Sequence, residues 1–83
     1  MKTSLPSITY LPDDDILYLR LREGKVGRTI DDGDVWRNID RDANGAVLAA
    51  EFVNASRGIN LRGLPDEIEQ AVREGGRRFP ILV

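Results

Sequence analysis

Residues 40 to 51 carry the clearest chemical pattern in this sequence. The segment reads Asp-Arg-Asp-Ala-Asn-Gly-Ala-Val-Leu-Ala-Ala-Glu, which matches the calcium loop of helix-loop-helix proteins at each of its fixed positions. In such a loop, side-chain oxygens and one backbone carbonyl surround the ion. The candidate ligands are Asp40, Asp42, Asn44, Glu51 and the carbonyl oxygen of Ala46.

The sequence around this pattern favours a β-hairpin over a calcium loop. A calcium hand needs a helix before the loop, but Asp31-Asp32-Gly33-Asp34 stands there instead. Asn44-Gly45 is a strong signal for a two-residue hairpin turn, and such a turn pairs residues whose numbers sum to 89, for example Asn38 with Glu51. The acidic side chains would then be spread over a pleated surface. No metal site is therefore favoured, and an acidic metal- or small-ligand-binding hairpin is the alternative.

The composition excludes several classes of protein. The chain has 83 residues, a net charge of −2, 41% hydrophobic residues and 31% charged residues, which is typical of soluble globular proteins. Neither nucleic acid nor a membrane is favoured as a partner. Because the chain lacks cysteine and histidine, it has no disulfides, zinc–thiolate sites or histidine-based triads. We predict a cytoplasmic protein that is not an enzyme and uses no cofactor.

The first two-thirds of the chain alternates apolar runs with turn residues, as β-strands do. We predict a single domain over residues 1–83, of the α+β class, in which an antiparallel β-meander of about five strands covers residues 7–53. One C-terminal helix over residues 64–75 packs on one face of this sheet. The predicted strands are Ser7–Leu11, Ile16–Leu21, Val26–Ile30, Val35–Arg41 and Ala46–Val53.

The predicted helix is indicated by the spacing of its apolar residues and by the residues at its ends. Leu64, Ile68, Ala71 and Val72 fall at spacings of three and four and give a narrow apolar stripe. Pro65 suits the first helical turn, where its missing N–H is not needed. Gly75, followed by another glycine, ends the helix.

Residues 76–83 form an apolar tail that ends in Phe79-Pro80-Ile81-Leu82-Val83. A tail of this composition seldom stays in water. It could pack over the other face of the sheet, add an edge strand, or insert into a second subunit or another protein. The arrangements within the same chain are favoured, because a small sheet needs its edges and faces covered.

Trp36 is the sole tryptophan, and strand alternation places it with Val47 and Val53 on the more polar face of the hairpin. These side chains form either a second small core under the tail or an exposed patch that binds a protein. The partner is predicted to be another protein or a second copy of the chain, which would then be a homodimer. The predicted partner-binding residues are Trp36, Val47, Val53, Phe79, Ile81 and Leu82.

The acidic run at residues 13–15 and the serine at position 56 are predicted to have structural and not catalytic roles. Three successive carboxylates at Asp13-Asp14-Asp15 point in different directions within one turn, so a solvated cap is favoured over a metal or acid–base cluster. Ser56 has no histidine to activate it as a nucleophile.

Three motifs resemble those of a known family of small, mostly bacterial proteins of unknown function. Residues 10–21 read Tyr-Leu-Pro-Asp-Asp-Asp-Ile-Leu-Tyr-Leu-Arg-Leu, similar to the family's opening Y-D-P-E-x-D-x-L-Y-I-R-L. Residues 40–45 and 51–56 resemble its D-x-D-x-D-G turn and its E-I-L-x-A-S strand. The resemblance covers about residues 8–58, with departures at Leu11, where the family prefers aspartate, and at Arg37, where it is commonly apolar.

This resemblance implies a β-meander with a helix and carries over no catalytic residue, because the family has no established activity. Members are sometimes encoded beside toxin-like small proteins. The resemblance therefore implies a protein-interaction module with a partner-binding or antitoxin-like role.

Overall fold

The computed structural model describes residues 5–30, 36–75 and 79–82. The predicted start of the fourth strand at Val35 lies outside these residues, as do residues 76–78 and 83 of the predicted tail. The elements in chain order are β1 (Ser7–Leu11), β2 (Ile16–Arg20), β3 (Arg28–Ile30), β4 (Arg37–Arg41), β5 (Val47–Val53), a 3₁₀ turn (Ala55–Arg57), β6 (Ile59–Asn60), α1 (Asp66–Glu74) and β7 (Ile81–Leu82).

The first five strands form one antiparallel sheet in the order β1-β2-β5-β4-β3. The predicted α+β class, with an antiparallel sheet and one C-terminal helix, is confirmed. The sheet is not a simple meander, however, because β2 pairs with β5 and not with β3. The central strands β2 and β5 bury the most apolar side chains, whereas the short β3, which begins with Arg28, lies at an edge where charge is tolerated.

The β4–β5 hairpin keeps the predicted register over most of its length. Residues 37–40 pair with residues 49–52, with numbers that sum to 89. The register shifts after Asp40, so that Arg41 pairs with Val47. A shift of one residue moves a side chain to the other face of a sheet. Val47 therefore lies in the main core, and its predicted place on the face of Trp36 was wrong.

The core lies between one face of the sheet and α1. The helix contributes Ile68, Ala71 and Val72, which form the apolar stripe that the spacing predicted. Its acidic first turn suits the positive end of the helix dipole. In the described part of the chain, no helix has the length and apolar character needed to cross a membrane. The largest fully buried side chains are those of Leu17, Leu19, Ile39, Phe52, Ile59 and Ile68.

The described part of the tail packs within its own chain, on the same side of the sheet as the helix. β7 pairs in parallel with β6, and the Ile59 N–H donates to the Pro80 carbonyl at 2.8 Å. The Phe79 ring meets the Tyr10 ring edge-on, with 5.2 Å between ring centres. Residues 79–82 thus add a strand to β6 and lie on the helix side of the sheet.

Candidate functional site

The sheet face opposite α1 has an apolar row across four strands. Leu11 on β1 pairs with Ile16 on β2, and Ile16 pairs with Val53 on β5. The Val53 N–H donates to the Trp36 carbonyl at 2.9 Å, which continues the row to the start of β4. Tyr18 lies beside this row on the same face by strand alternation. We call the set of Leu11, Ile16, Tyr18, Trp36 and Val53 the outer face.

Exposure distinguishes the outer face from the core. Leu11 keeps 45% of its surface exposed and is one of the most exposed large apolar residues among those described. The other four members are half-buried. By contrast, Leu17 and Leu19, which alternate with them along β2, are fully buried against the helix. Among the described residues, the outer face is thus an apolar surface that keeps some contact with solvent.

Charged and polar side chains border the outer face on one side. Tyr18 pairs with Glu51 across the strands, and Asn38 Nδ2 donates to Glu51 Oε1 at 3.1 Å. The next row contains Arg20, Ala49 and Asp40. Positive charge therefore lies on β2, and negative charge lies on β5 and β4.

The structure brings together only part of the predicted partner-binding set. Trp36 and Val53 are neighbours on the outer face, whereas Val47 is buried in the main core. Phe79 and Ile81 pack against the core from the helix side. Leu82 pairs through its backbone with Asn60 in the small parallel sheet. Trp36 and Val53 therefore lie on the opposite side of the sheet from Val47, Phe79 and Ile81.

The residues of the calcium pattern stand along a hairpin. Asp42 Oδ1 accepts the N–H groups of Asn44 at 2.8 Å and Ala46 at 3.0 Å, so this carboxylate organises the turn. Asp40 and Glu51 lie on the strands beyond it, paired with Ala49 and Asn38 respectively. Across residues 5–30, 36–75 and 79–82, no three acidic side chains converge closely enough to hold a metal ion. Asp42 therefore stabilises the hairpin turn, and Asp40 and Glu51 are strand residues.

A polar cluster that the sequence interpretation missed joins the first hairpin to the loop after β5. Asp15 Oδ2 accepts the Ser56 hydroxyl at 2.6 Å, and Asp15 Oδ1 accepts the Ser56 N–H at 2.9 Å and the Tyr10 hydroxyl at 2.7 Å. The Asp15 carbonyl also accepts the Ala55 N–H at 3.0 Å. The signal for it was in the family motifs, because Asp15 belongs to one and Ser56 ends another.

These bonds determine what the cluster can do chemically. The hydrogen bond from the Ser56 hydroxyl, followed by that from Tyr10, holds the pKa of Asp15 below its ordinary value of 3.8. A carboxylate with a lowered pKa is a poor base for activating a serine hydroxyl. Asp15 also adopts a positive φ of 54°, which a non-glycine residue keeps only where its surroundings hold it. The cluster therefore fixes two loops against each other.

Comparison with known proteins places the sheet in a family. The comparisons with curated proteins and with solved structures give no significant match. A family model described as Protein of unknown function (DUF2283) matches residues 7–56, from the first residue of β1 to Ser56. The matched segment contains all five strands of the main sheet, the outer face and the Asp15–Ser56 contact. The chain therefore belongs to this family of proteins of unknown function.

Proposed function

We propose that this chain is a non-enzymatic interaction module whose outer face binds a protein. The observation that carries the proposal is the row of large apolar side chains on the sheet face opposite α1, in which Leu11 is exposed and the other four members are half-buried. Exposed apolar patches with a polar border are typical of protein-binding surfaces. Tryptophan and tyrosine, both present here, are frequent among residues that dominate binding energy.

The position of this surface within the sheet adds support. A β-sheet holds its outward side chains in fixed rows, so that binding orders few additional groups and costs little conformational entropy. An antitoxin-like role, which the family resemblance implies, is one form of this proposal, with a toxin as the partner.

Site-specific photo-crosslinking in cells tests the proposal. A photoreactive amino acid at Val53, on the outer face, should capture a defined protein, whereas the same group at Glu69, on the exposed side of α1, should not. The captured protein is then purified and its affinity measured against Val53→Lys and Glu69→Lys variants. We expect Val53→Lys to weaken binding at least tenfold, or about 1.4 kcal/mol. Equal capture at both positions, or full affinity of Val53→Lys, contradicts the proposal.

A further inference from the structure

We infer that Asn44 is a site of chemical modification, at which the side-chain amide is lost through a cyclic imide and Asp42 controls the rate. The site lies at the tip of the β4–β5 hairpin, so the modification is independent of the binding proposed for the outer face. Asn44 is exposed, and the residue after it is Gly45, which has no side chain to shield its backbone nitrogen. A Cβ atom added to Gly45 would meet no atom within 4 Å, so the space beside this nitrogen is open.

The reaction needs only water as a co-reactant. The Gly45 nitrogen loses its proton to hydroxide and attacks Cγ of Asn44. The new N–Cγ bond closes an imide ring, and the Cγ–Nδ2 bond breaks as Nδ2 takes up a proton and leaves as ammonia. Water then opens the ring. Cleavage of the N–Cγ bond gives aspartate, whereas cleavage of the bond from the nitrogen to the main-chain carbonyl carbon gives isoaspartate. Either product adds a negative charge to the loop, and no atom is oxidised or reduced.

The other three asparagines of the chain stand in positions that hinder the same ring closure. Each is followed by a buried residue that carries a side chain: Asn38 by Ile39, Asn54 by Ala55 and Asn60 by Leu61. That side chain obstructs the approach of the nitrogen to Cγ, and burial keeps out the base that must remove the proton. Two of the three asparagines also lie within the paired strands β4 and β6, where the backbone is held extended. Asn44 is therefore the asparagine that we expect to lose its amide first.

Hydrogen bonds to Asp42 hold the loop in a form that resists this reaction. The Gly45 N–H donates to the Asp42 carbonyl at 3.0 Å, so the attacking nitrogen is engaged while the loop is closed. Asp42 Oδ1 accepts the N–H groups of Asn44 and Ala46, the residues on either side of that nitrogen. The Asp42 carboxylate also opposes the formation of a negatively charged nitrogen beside it. The Asn44 amide therefore reacts when the loop opens, and its rate of loss follows the population of the open form.

Peptide mapping by mass spectrometry, after incubation of the full folded chain at mildly alkaline pH, tests this inference. Conversion of an amide to a carboxylate raises the mass of its peptide, and chromatography separates the aspartate and isoaspartate products. We expect Asn44 to convert while the other three asparagines keep their amides. Asp42→Ala should speed the conversion about tenfold, because it removes the acceptor of two hydrogen bonds that close the loop.

Asp40→Ala is the matched control, because it makes the same change of charge in the same hairpin and leaves the bonds to Asp42 in place. It should convert Asn44 at a rate close to that of the native chain. An Asn44 amide that lasts as long as those of the other three asparagines overturns the inference. So does an Asp42→Ala variant that converts no faster than the native chain or than Asp40→Ala.

Circular dichroism shows whether Asp42→Ala folds, and the native chain provides a second test if it does not. In concentrated urea the loop bonds to Asp42 are released, so Asn44 should convert about tenfold faster than in the folded chain. Equal rates in the folded and unfolded chain would mean that the loop does not control the reaction, and they overturn the inference.

Discussion

At the scale of single residues, the Asp15 carboxylate accepts three hydrogen bonds, one from Tyr10 and two from Ser56. Ser56, which donates to this carboxylate, lies 41 positions away in the sequence. The Asp15 backbone adopts the left-handed conformation. Asp13 and Asp14, its neighbours in the turn, are exposed as the prediction of a solvated cap requires. Asp15 differs because it alone of the three faces Ser56. Of the three successive aspartates, Asp15 therefore connects the β1–β2 turn to the 3₁₀ turn after β5 by hydrogen bonds.

Asp15→Asn should lower stability at neutral pH, and its effect should fade in acid. Asparagine tolerates the left-handed conformation, so the substitution removes the charge and one acceptor without adding backbone strain. Because the folded-state pKa is lowered, the carboxylate stabilises the fold above pH 3.8, and this contribution is lost as the pH falls through the folded-state pKa. The melting temperatures of the native chain and of Asp15→Asn should therefore differ at pH 7 and converge below pH 3.8.

Asp13→Asn serves as the control for net charge, since Asp13 is an exposed residue of the same turn. If the melting temperatures of the native chain and of Asp15→Asn differ by the same amount from pH 7 down to about pH 2, the charge of Asp15 does not contribute to stability.

At the scale of elements, local patterns predicted the individual strands better than their pairing. The predicted two-residue turn at Asn44-Gly45 was wrong, because the Asp42 N–H donates to the Ala46 carbonyl and residues 43–45 form a three-residue loop. The predicted register of residues 37–40 is nevertheless correct, since the register shift after Asp40 compensates for the longer loop. The side chain of Val47 was misplaced because a register shift after Asp40 leaves no clear sign in residue types. The pairing of β2 with β5 joins distant segments and depends on which strands bury most surface in the complete sheet, so a strand-by-strand interpretation could not recover it. The Asp15–Ser56 bond escaped prediction for the same reason.

The tail is an element whose role within the chain can be measured directly. Phe79 packs against Tyr10 and lines a cavity of about 120 Å³ with Ile8, Leu17 and Val72. Phe79→Ala should lower the free energy of unfolding by about 2 to 3 kcal/mol, less than for a fully buried phenylalanine, because Phe79 is only half-buried. Urea denaturation measures this loss.

Phe79→Leu is the matched control, because it keeps most of the apolar volume and should cost less than about 1.5 kcal/mol. Sedimentation of Phe79→Ala should show the same mass as the native chain, since the described tail packs on its own chain. A loss of stability below about 0.5 kcal/mol, or a change in mass, would mean that the tail acts mainly outside its own chain.

At the scale of the whole molecule, the segment that matches the family model contains only part of the hydrophobic core. The match ends at Ser56, but the core continues beyond it through β6 and α1. The sheet face that receives these residues is lined by the buried side chains of β2 and β5. Removing the C-terminal part would expose that face while the outer face stayed exposed as well. A sheet with two solvent-facing apolar surfaces is poorly stabilised.

A fragment of residues 1–58 should therefore fail to fold cooperatively. It lacks the buried side chains of Ile59, Leu61, Ile68 and Val72, each of which contributes roughly 1.5 to 3 kcal/mol on burial. Their sum, roughly 6 to 12 kcal/mol, equals most or all of the stability of a typical domain, about 5 to 15 kcal/mol. Amide NMR spectra and thermal melting of the fragment and the full chain measure this. Dispersed amide signals and a cooperative transition in the fragment would instead mean that the five-stranded sheet folds alone and that the helix and tail serve another purpose.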